Sequence, residues 1–144
     1  MTLLDTNILV YAVNEDSKFH KAASGIHSKV LDGSIRACIS VQNLIEFYSI
    51  ITSSRVQKPL PAQIAFDEID KYIADQRIKK IQFNGDALVV LRELVIKYNV
   101  TAQNIYDLKI VATMLVNNIG EIITANERDF KKFSEIKVTN PFPI

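Results

Sequence analysis

The chain has one cysteine, four glycines, four prolines and no tryptophan in its 144 residues. A lone Cys38 cannot close an intramolecular disulfide or furnish a thiolate zinc site, which excludes a disulfide-stapled fold and a zinc module. Set within Ala37-Cys38-Ile39, its thiol reads as buried and inert. The scattered glycines form no phosphate-cradling loop, and no serine sits in a nucleophile elbow. Neither sign of charge dominates, since 17 basic and 16 acidic residues leave +1. That balance neither demands a nucleic-acid partner nor excludes one, because a local patch can do the steering. No apolar run reaches membrane-spanning length, and the N-terminus lacks the basic and apolar regions of a cleavable signal. The expectation is a cytoplasmic protein with no membrane association.

What is present is average globular material, 48% hydrophobic and 23% charged, in an amount suited to a single domain over residues 1–144. The opening stretch organises the rest. The apolar pair Leu3-Leu4 ends in the polar trio Asp5-Thr6-Asn7, and a second apolar run, Ile8 to Ala12, follows. A brief apolar run with polar punctuation suits a strand buried on both faces. Thr6 and Asn7 are placed to cap a short helix, which would leave the Asp5 carboxylate at the carboxyl end of a strand, where open α/β sheets hold their ligands. The competing reading of Asp5 is a helix N-cap and nothing more.

Further along, Asn14-Glu15-Asp16-Ser17 can cap a helix with its apolar stripe at Phe19, Ala22, Ala23, Ile26 and Val30. His20 and His27, seven apart, share a face of it, but no third metal ligand accompanies them. A strand is expected over 36–40 and a helix from Val41 through Ile51. Glu46 lies in that helix between Leu44-Ile45 and Phe47-Tyr48, where there is little wet face to receive a carboxylate. An ionised group in such company should be paired, metal-bound or turned to solvent. After a Ser- and Pro-bearing loop over 52–61, helices are expected over about 62–75 and from Asn84-Gly85-Asp86 to Tyr98, with a short strand over 78–83 between them. A further helix runs from Ile105 through Leu115, with Asp107 in its first turn, where the helix dipole alone would favour an acid. Strands at 121–124 and 136–138 close the pattern, with Asn126 and Asp129 between them. Alternating strands and helices predict an α/β fold with a mainly parallel sheet.

If the strand and helix ends converge, Asp5, Glu46, Asp107 and the Asn126/Asp129 pair meet in one cleft. Carboxylates crowded together repel unless a hard cation neutralises them, and an all-oxygen set suits Mg²⁺ or Mn²⁺ better than zinc. Such an ion can activate water and stabilise charge developing on a phosphodiester. The alternative for each acid taken singly is a helix cap.

The same residues carry a family resemblance. Leu4-Asp5-Thr6-Asn7, Glu46 within Val41-Gln42-Asn43-Leu44-Ile45-Glu46-Phe47-Tyr48, Asp107 within Ile105-Tyr106-Asp107-Leu108-Lys109, and Thr124-Ala125-Asn126-Glu127-Arg128-Asp129-Phe130 resemble, in order and spacing, the PIN-domain pattern. The likeness is strongest to the VapC-type toxins of prokaryotic toxin–antitoxin pairs. It implies a three-layer PIN-like fold, a parallel sheet of strand order 3-2-1-4-5 flanked by helices. It further implies a Mg²⁺- or Mn²⁺-dependent endoribonuclease cleaving single-stranded or structured RNA.

By position, Asp5, Glu46 and Asp107 would be the catalytic, metal-ligating acids, with Thr6, Asn7 and Thr124 beside them. Asn126 stands where the family often has a fourth acid, a departure that puts a second metal in doubt. Asp129 could substitute for it, or simply cap and pair with Lys131 or Lys132. Arg55, Lys58 and Arg128 are secondary candidates for RNA backbone phosphates, whereas Lys109 reads as part of a solvated helix face. The resemblance also implies a homodimer and a cognate antitoxin whose segment occupies the cleft. Phe19, Tyr48, Ile51 and Phe66 could serve an interface but read as core. The competing function is a catalytically weak PIN-like module that binds RNA or protein, which Asn126 would favour. A DNA-directed or structure-specific nuclease ranks behind both.

Overall fold

A computed structural model describes residues 1–142. Its centre is a five-stranded parallel sheet in the order β3-β2-β1-β4-β5, as the resemblance implied. The elements run β1 (Thr2–Leu4), α1 (Thr6–Val13), α2 (His20–Leu31), β2 (Ala37–Ser40), α3 (Val41–Ile51), α4 (Ala62–Ala74) and β3 (Lys79–Ile81). They continue with α5 (Gly85–Tyr98), a 3-10 turn (Ala102–Asn104), α6 (Ile105–Val116), β4 (Glu121–Ile123), α7 (Glu127–Phe130) and β5 (Lys137–Thr139). No helix among the described residues is long and apolar enough to cross a membrane.

Successive strand residues point to opposite faces of the sheet, and each face has its own core. Leu4, Ile39 and Ile123 face one side, where they pack with Ile8, Ile26, Phe47, Ile51 and Ile69 of α1 to α4. Leu3, Cys38 and Ile122 face the other, against Leu91, Leu108, Val111, Met114 and Phe130 of α5 to α7. With both faces covered, the inner strands β1, β2 and β4 carry adjacent apolar residues, whereas the edge strands β3 and β5 each open on an exposed lysine, Lys79 and Lys137. Cys38 is fully buried and its thiol is pushed up to about 12 by loss of solvent, which leaves it inert.

Several local expectations need correction. The N-cap of α1 is Asp5, whose carboxylate accepts from the Thr6 N–H at 2.8 Å, while Thr6 and Asn7 are already helical. Asn14 to Ser17 do not cap α2. Ser17 instead takes up the Phe19 N–H at 3.1 Å, and Phe19, tilted against the rings of Tyr11 and Phe142, occupies the cap position. His20 and His27 are spent on hydrogen bonds, His20 to the Tyr11 carbonyl and His27 to the Ala23 carbonyl and the Tyr72 hydroxyl. Phe66 is not core: it is 51% exposed on α4, whereas Ile51 is buried and Phe19 and Tyr48 are half-buried.

Candidate active site

Strand order places β1 between β2 and β4, so the chain reverses its direction of travel across the sheet beside β1. Loops on either side of such a point splay apart at the carboxyl ends of the strands and leave a crevice. Here the crevice is a cleft of about 460 Å³, and its lining includes Asp5, Thr6, Asn7, Glu46, Asp107 and Asn126. The acids singled out in three distant stretches therefore do converge.

Asp5 leaves the end of β1 and is only 5% exposed. Four groups hold its carboxylate. One oxygen accepts from the Thr6 N–H at 2.8 Å and the Asn43 amide at 3.3 Å. The other accepts from the Thr124 hydroxyl at 2.6 Å and the Asn7 amide at 3.1 Å. Burial nevertheless raises its pKa above the ordinary carboxylate range, the Thr124 and Thr6 hydrogen bonds opposing and the Glu46 charge adding to the rise. Asp5 is thus a cap and more than a cap, since a cap alone does not need Thr124, just after β4, and Asn43 from α3.

Thr124 is fully buried, so its hydroxyl is committed to Asp5, and it accepts in turn from the Asn126 N–H at 2.9 Å. Glu46 is half-buried, with one oxygen accepting from the Thr6 hydroxyl at 2.9 Å and the other from the Gln42 amide at 2.9 Å. The helix carrying it does have a wet face, contrary to expectation. That face is occupied by apolar side chains, Val41 at 39% and Ile45 at 65% exposure.

Asp107, in the first turn of α6, is half-buried and held up at about 6. Partial burial is the main cause, followed by the negative charges of Asp129 and Asp5; Lys132 pulls the other way. Asn126 is exposed at the cleft, as the residue just before α7. Asp129 is near enough to bear on Asp107, but it does not take Lys131, which pairs with Glu127 at 3.0 Å. Among the secondary candidates Arg55 lines the acid cleft, while Lys58 lines a neighbouring depression together with Glu15 and Asp16. Arg128 is exposed on α7.

Sequence reasoning missed Asn43. It is fully buried, accepts from the Ser40 hydroxyl at 2.7 Å and donates to Thr6 Oγ1 at 2.9 Å and to Asp5. Ser40 caps α3 by accepting from the Asn43 N–H at 3.0 Å. The signal available was a serine followed three residues later by a residue able to answer it, much like a capping box. No buried side-chain nitrogen or oxygen among the described residues lacks a partner.

The donor set offered to a cation is all oxygen, and burial, with neighbouring carboxylates adding to it, disfavours the charged forms of Asp5 and Asp107 where no cation offsets them. No group of three or more His, Cys, Asp or Glu side chains among the described residues is arranged to grip one ion together. An all-oxygen set fits a hard divalent ion that keeps several waters and takes one or two carboxylates directly.

A toxin–antitoxin complex from Klebsiella pneumoniae shares the fold at a TM-score of 0.65 with 21% identity, over the whole of both chains. The Mycobacterium tuberculosis toxin VapC20, which cleaves the Sarcin-Ricin loop, matches at a TM-score of 0.67 with 11% identity, over 92% of this chain and 95% of that one. In sequence, Ribonuclease VapC24 of Mycobacterium tuberculosis is 24% identical, across 98% of this chain and 97% of its own. The sequence profile of the PIN domain matches residues 2–136, and the chain belongs to the PIN domain family.

Proposed function

We propose that the chain is a divalent-metal-dependent endoribonuclease, acting on single-stranded or structured RNA in the cytoplasm. In this reading it is the toxin of a toxin–antitoxin pair, a homodimer restrained by a cognate antitoxin. The observation that carries it is the convergence of Asp5, Glu46 and Asp107 on one cleft at the carboxyl ends of β1 and its neighbours. A relative named as a ribonuclease, a neighbour named as a Sarcin-Ricin loop cleaving toxin and another named as a toxin–antitoxin complex support it.

Asp5 and Asp107 are the proposed holders of Mg²⁺ or Mn²⁺, with Asn126 or Asp129 available as a further oxygen donor. A bound ion of this kind supplies charge neutralisation for the phosphodiester and acidifies water. Thr124, Asn7 and Asn43 fix the orientation of the Asp5 carboxylate before substrate arrives. Thr6 and Gln42 each donate to one oxygen of Glu46, which holds that carboxylate in position to orient the attacking water and accept its proton. Arg55 is the proposed phosphate contact, with Lys58 and Arg128 secondary to it.

The test is cleavage of a panel of tRNA, ribosomal RNA fragments and single-stranded DNA with Mg²⁺, with Mn²⁺ and with EDTA, beside Asp5→Asn. RNA-selective cleavage that needs metal and Asp5 is expected. A second reading, a catalytically weak module that binds RNA or protein, is favoured by Asn126 at the cleft. Folded, antitoxin-free protein that neither cleaves RNA nor takes up Mg²⁺ by calorimetry would establish that reading instead.

A further inference from the structure

Glu46 lines a second cavity as well as the acid cleft. This one measures about 440 Å³, and its walls include Gln42, Gln82, Phe83, Tyr106 and Lys109. The two spaces share a carboxylate of the candidate active site, so a strand lying across the acids has a recess beside it. Lys109, expected on a solvated face, is half-buried with its Nζ 5.3 Å from the centre of the Phe83 ring. Tyr106 is the residue next to Asp107 and is 59% exposed. It lies three positions before Lys109 on α6, so both belong to one helix face.

We propose that this cavity is a nucleobase subsite for the strand being cut, an inference that rests on the ribonuclease reading of the acid cleft. A base adjoining the scissile phosphate stacks on Tyr106, the Phe83 ring closes the recess, and Lys109 offsets the charge of the neighbouring phosphate. Gln42 and Gln82 supply amides that hydrogen-bond the base edge. Unpaired RNA is recognised in this way, by aromatic stacking together with contacts to the exposed edges. The exposed Val41 and Ile45 nearby would also suit a second copy of the chain. Seating apolar protein there would strip solvent from the Lys109 ammonium and the Gln82 amide without giving them partners, which favours a polar, π-faced occupant.

The probe is a short single-stranded oligoribonucleotide carrying 2-aminopurine at each position in turn, bound to the folded Asp5→Asn chain in Mg²⁺ so that the RNA stays whole. Fluorescence quenched at one position reports stacking. Quenching is expected in the Asp5→Asn chain and on addition of Tyr106→Phe, and it should vanish on addition of Tyr106→Ala, with affinity falling about 5- to 150-fold. Unchanged quenching and affinity with Tyr106→Ala would overturn the subsite. So would RNA that binds with no position quenched. Sedimentation showing a dimer that Tyr106→Ala converts to a monomer of unchanged RNA affinity would assign the recess to a second copy and overturn it too. The absence of any RNA binding overturns the subsite and the RNA reading together. Failure of the wild-type chain to cleave RNA would overturn the catalytic reading alone.

Discussion

Neutralising Asp107 should stabilise the protein in EDTA and cost it the response to Mg²⁺. The carboxyl is held up at about 6 from an ordinary 3.8, mainly by partial burial and then by the charges of Asp129 and Asp5. No hydrogen bond contributes to that shift, so Asp107→Asn abandons no partner that steadies the charge. At about 1.4 kcal/mol per unit the full shift would cost ~3 kcal/mol at pH 7, and solvent screening of a half-buried group cuts this to about 1–2 kcal/mol. The sign follows from linkage. The folded pKa lies above the unfolded one, so the stability carried by the protonated form is complete below about 3.8 and is lost as pH rises through about 6.

In EDTA at pH 7, Asp107→Asn should therefore melt about 3–6 °C higher than wild type, and the gap should close as the pH is lowered from 7 to 4. Saturating Mg²⁺ reverses the order, since an ion at a hundred times its Kd stabilises wild type by about 2.7 kcal/mol and the variant by much less. Differential scanning fluorimetry across pH, with EDTA and with Mg²⁺, reads all of this. An Asp107→Asn chain that melts lower in EDTA, or that keeps the full Mg²⁺ gain, would refute the reasoning.

Three further outcomes are expected. Asn43→Ala removes a fully buried amide that joins Ser40, Thr6 and Asp5, so urea denaturation should show a loss of about 2–4 kcal/mol, and a loss below 1 would count against the network. Thr124→Val keeps the shape but deletes the 2.6 Å bond to Asp5 and an acceptor for Asn7 and the Asn126 N–H. It should cost about 1–3 kcal/mol and weaken Mg²⁺ binding by calorimetry, whereas Thr124→Ser should restore both. Asn126→Asp adds a carboxylate at the cleft, so it should tighten Mn²⁺ binding several-fold in the same measurement while lowering the melting temperature in EDTA.

Much of this protein was legible along the chain. Apolar runs of two or three residues, Leu3-Leu4, Ala37-Cys38-Ile39 and Ile122-Ile123, followed by amphipathic stretches point to strands buried on both faces and helices laid over them, because each periodicity is a property of local backbone geometry. Asp5, Glu46 and Asp107 stood out because carboxylates among apolar neighbours are costly without a reason. The strand order came from the family resemblance and not from the pattern, and the helix caps were misplaced because several polar residues competed for each position.

What only the tertiary structure decided is how distant stretches meet. Leu4 pairs with Ile123, and that register sets Asp5 against Thr124; a slip of one residue would turn every side chain of β1 to the wrong core. Asn43 could not be chosen from sequence, since its partners Thr6 and Asp5 lie 37 and 38 residues away and become neighbours only when β2 pairs with β1. Lys109 reads as a solvated helix residue until β3 and the segment after it bring Phe83 beneath it. Local periodicity marks the helices and strands, but the contacts that give a carboxylate its chemistry are made across the sheet, where only the register of the strands decides who stands beside whom.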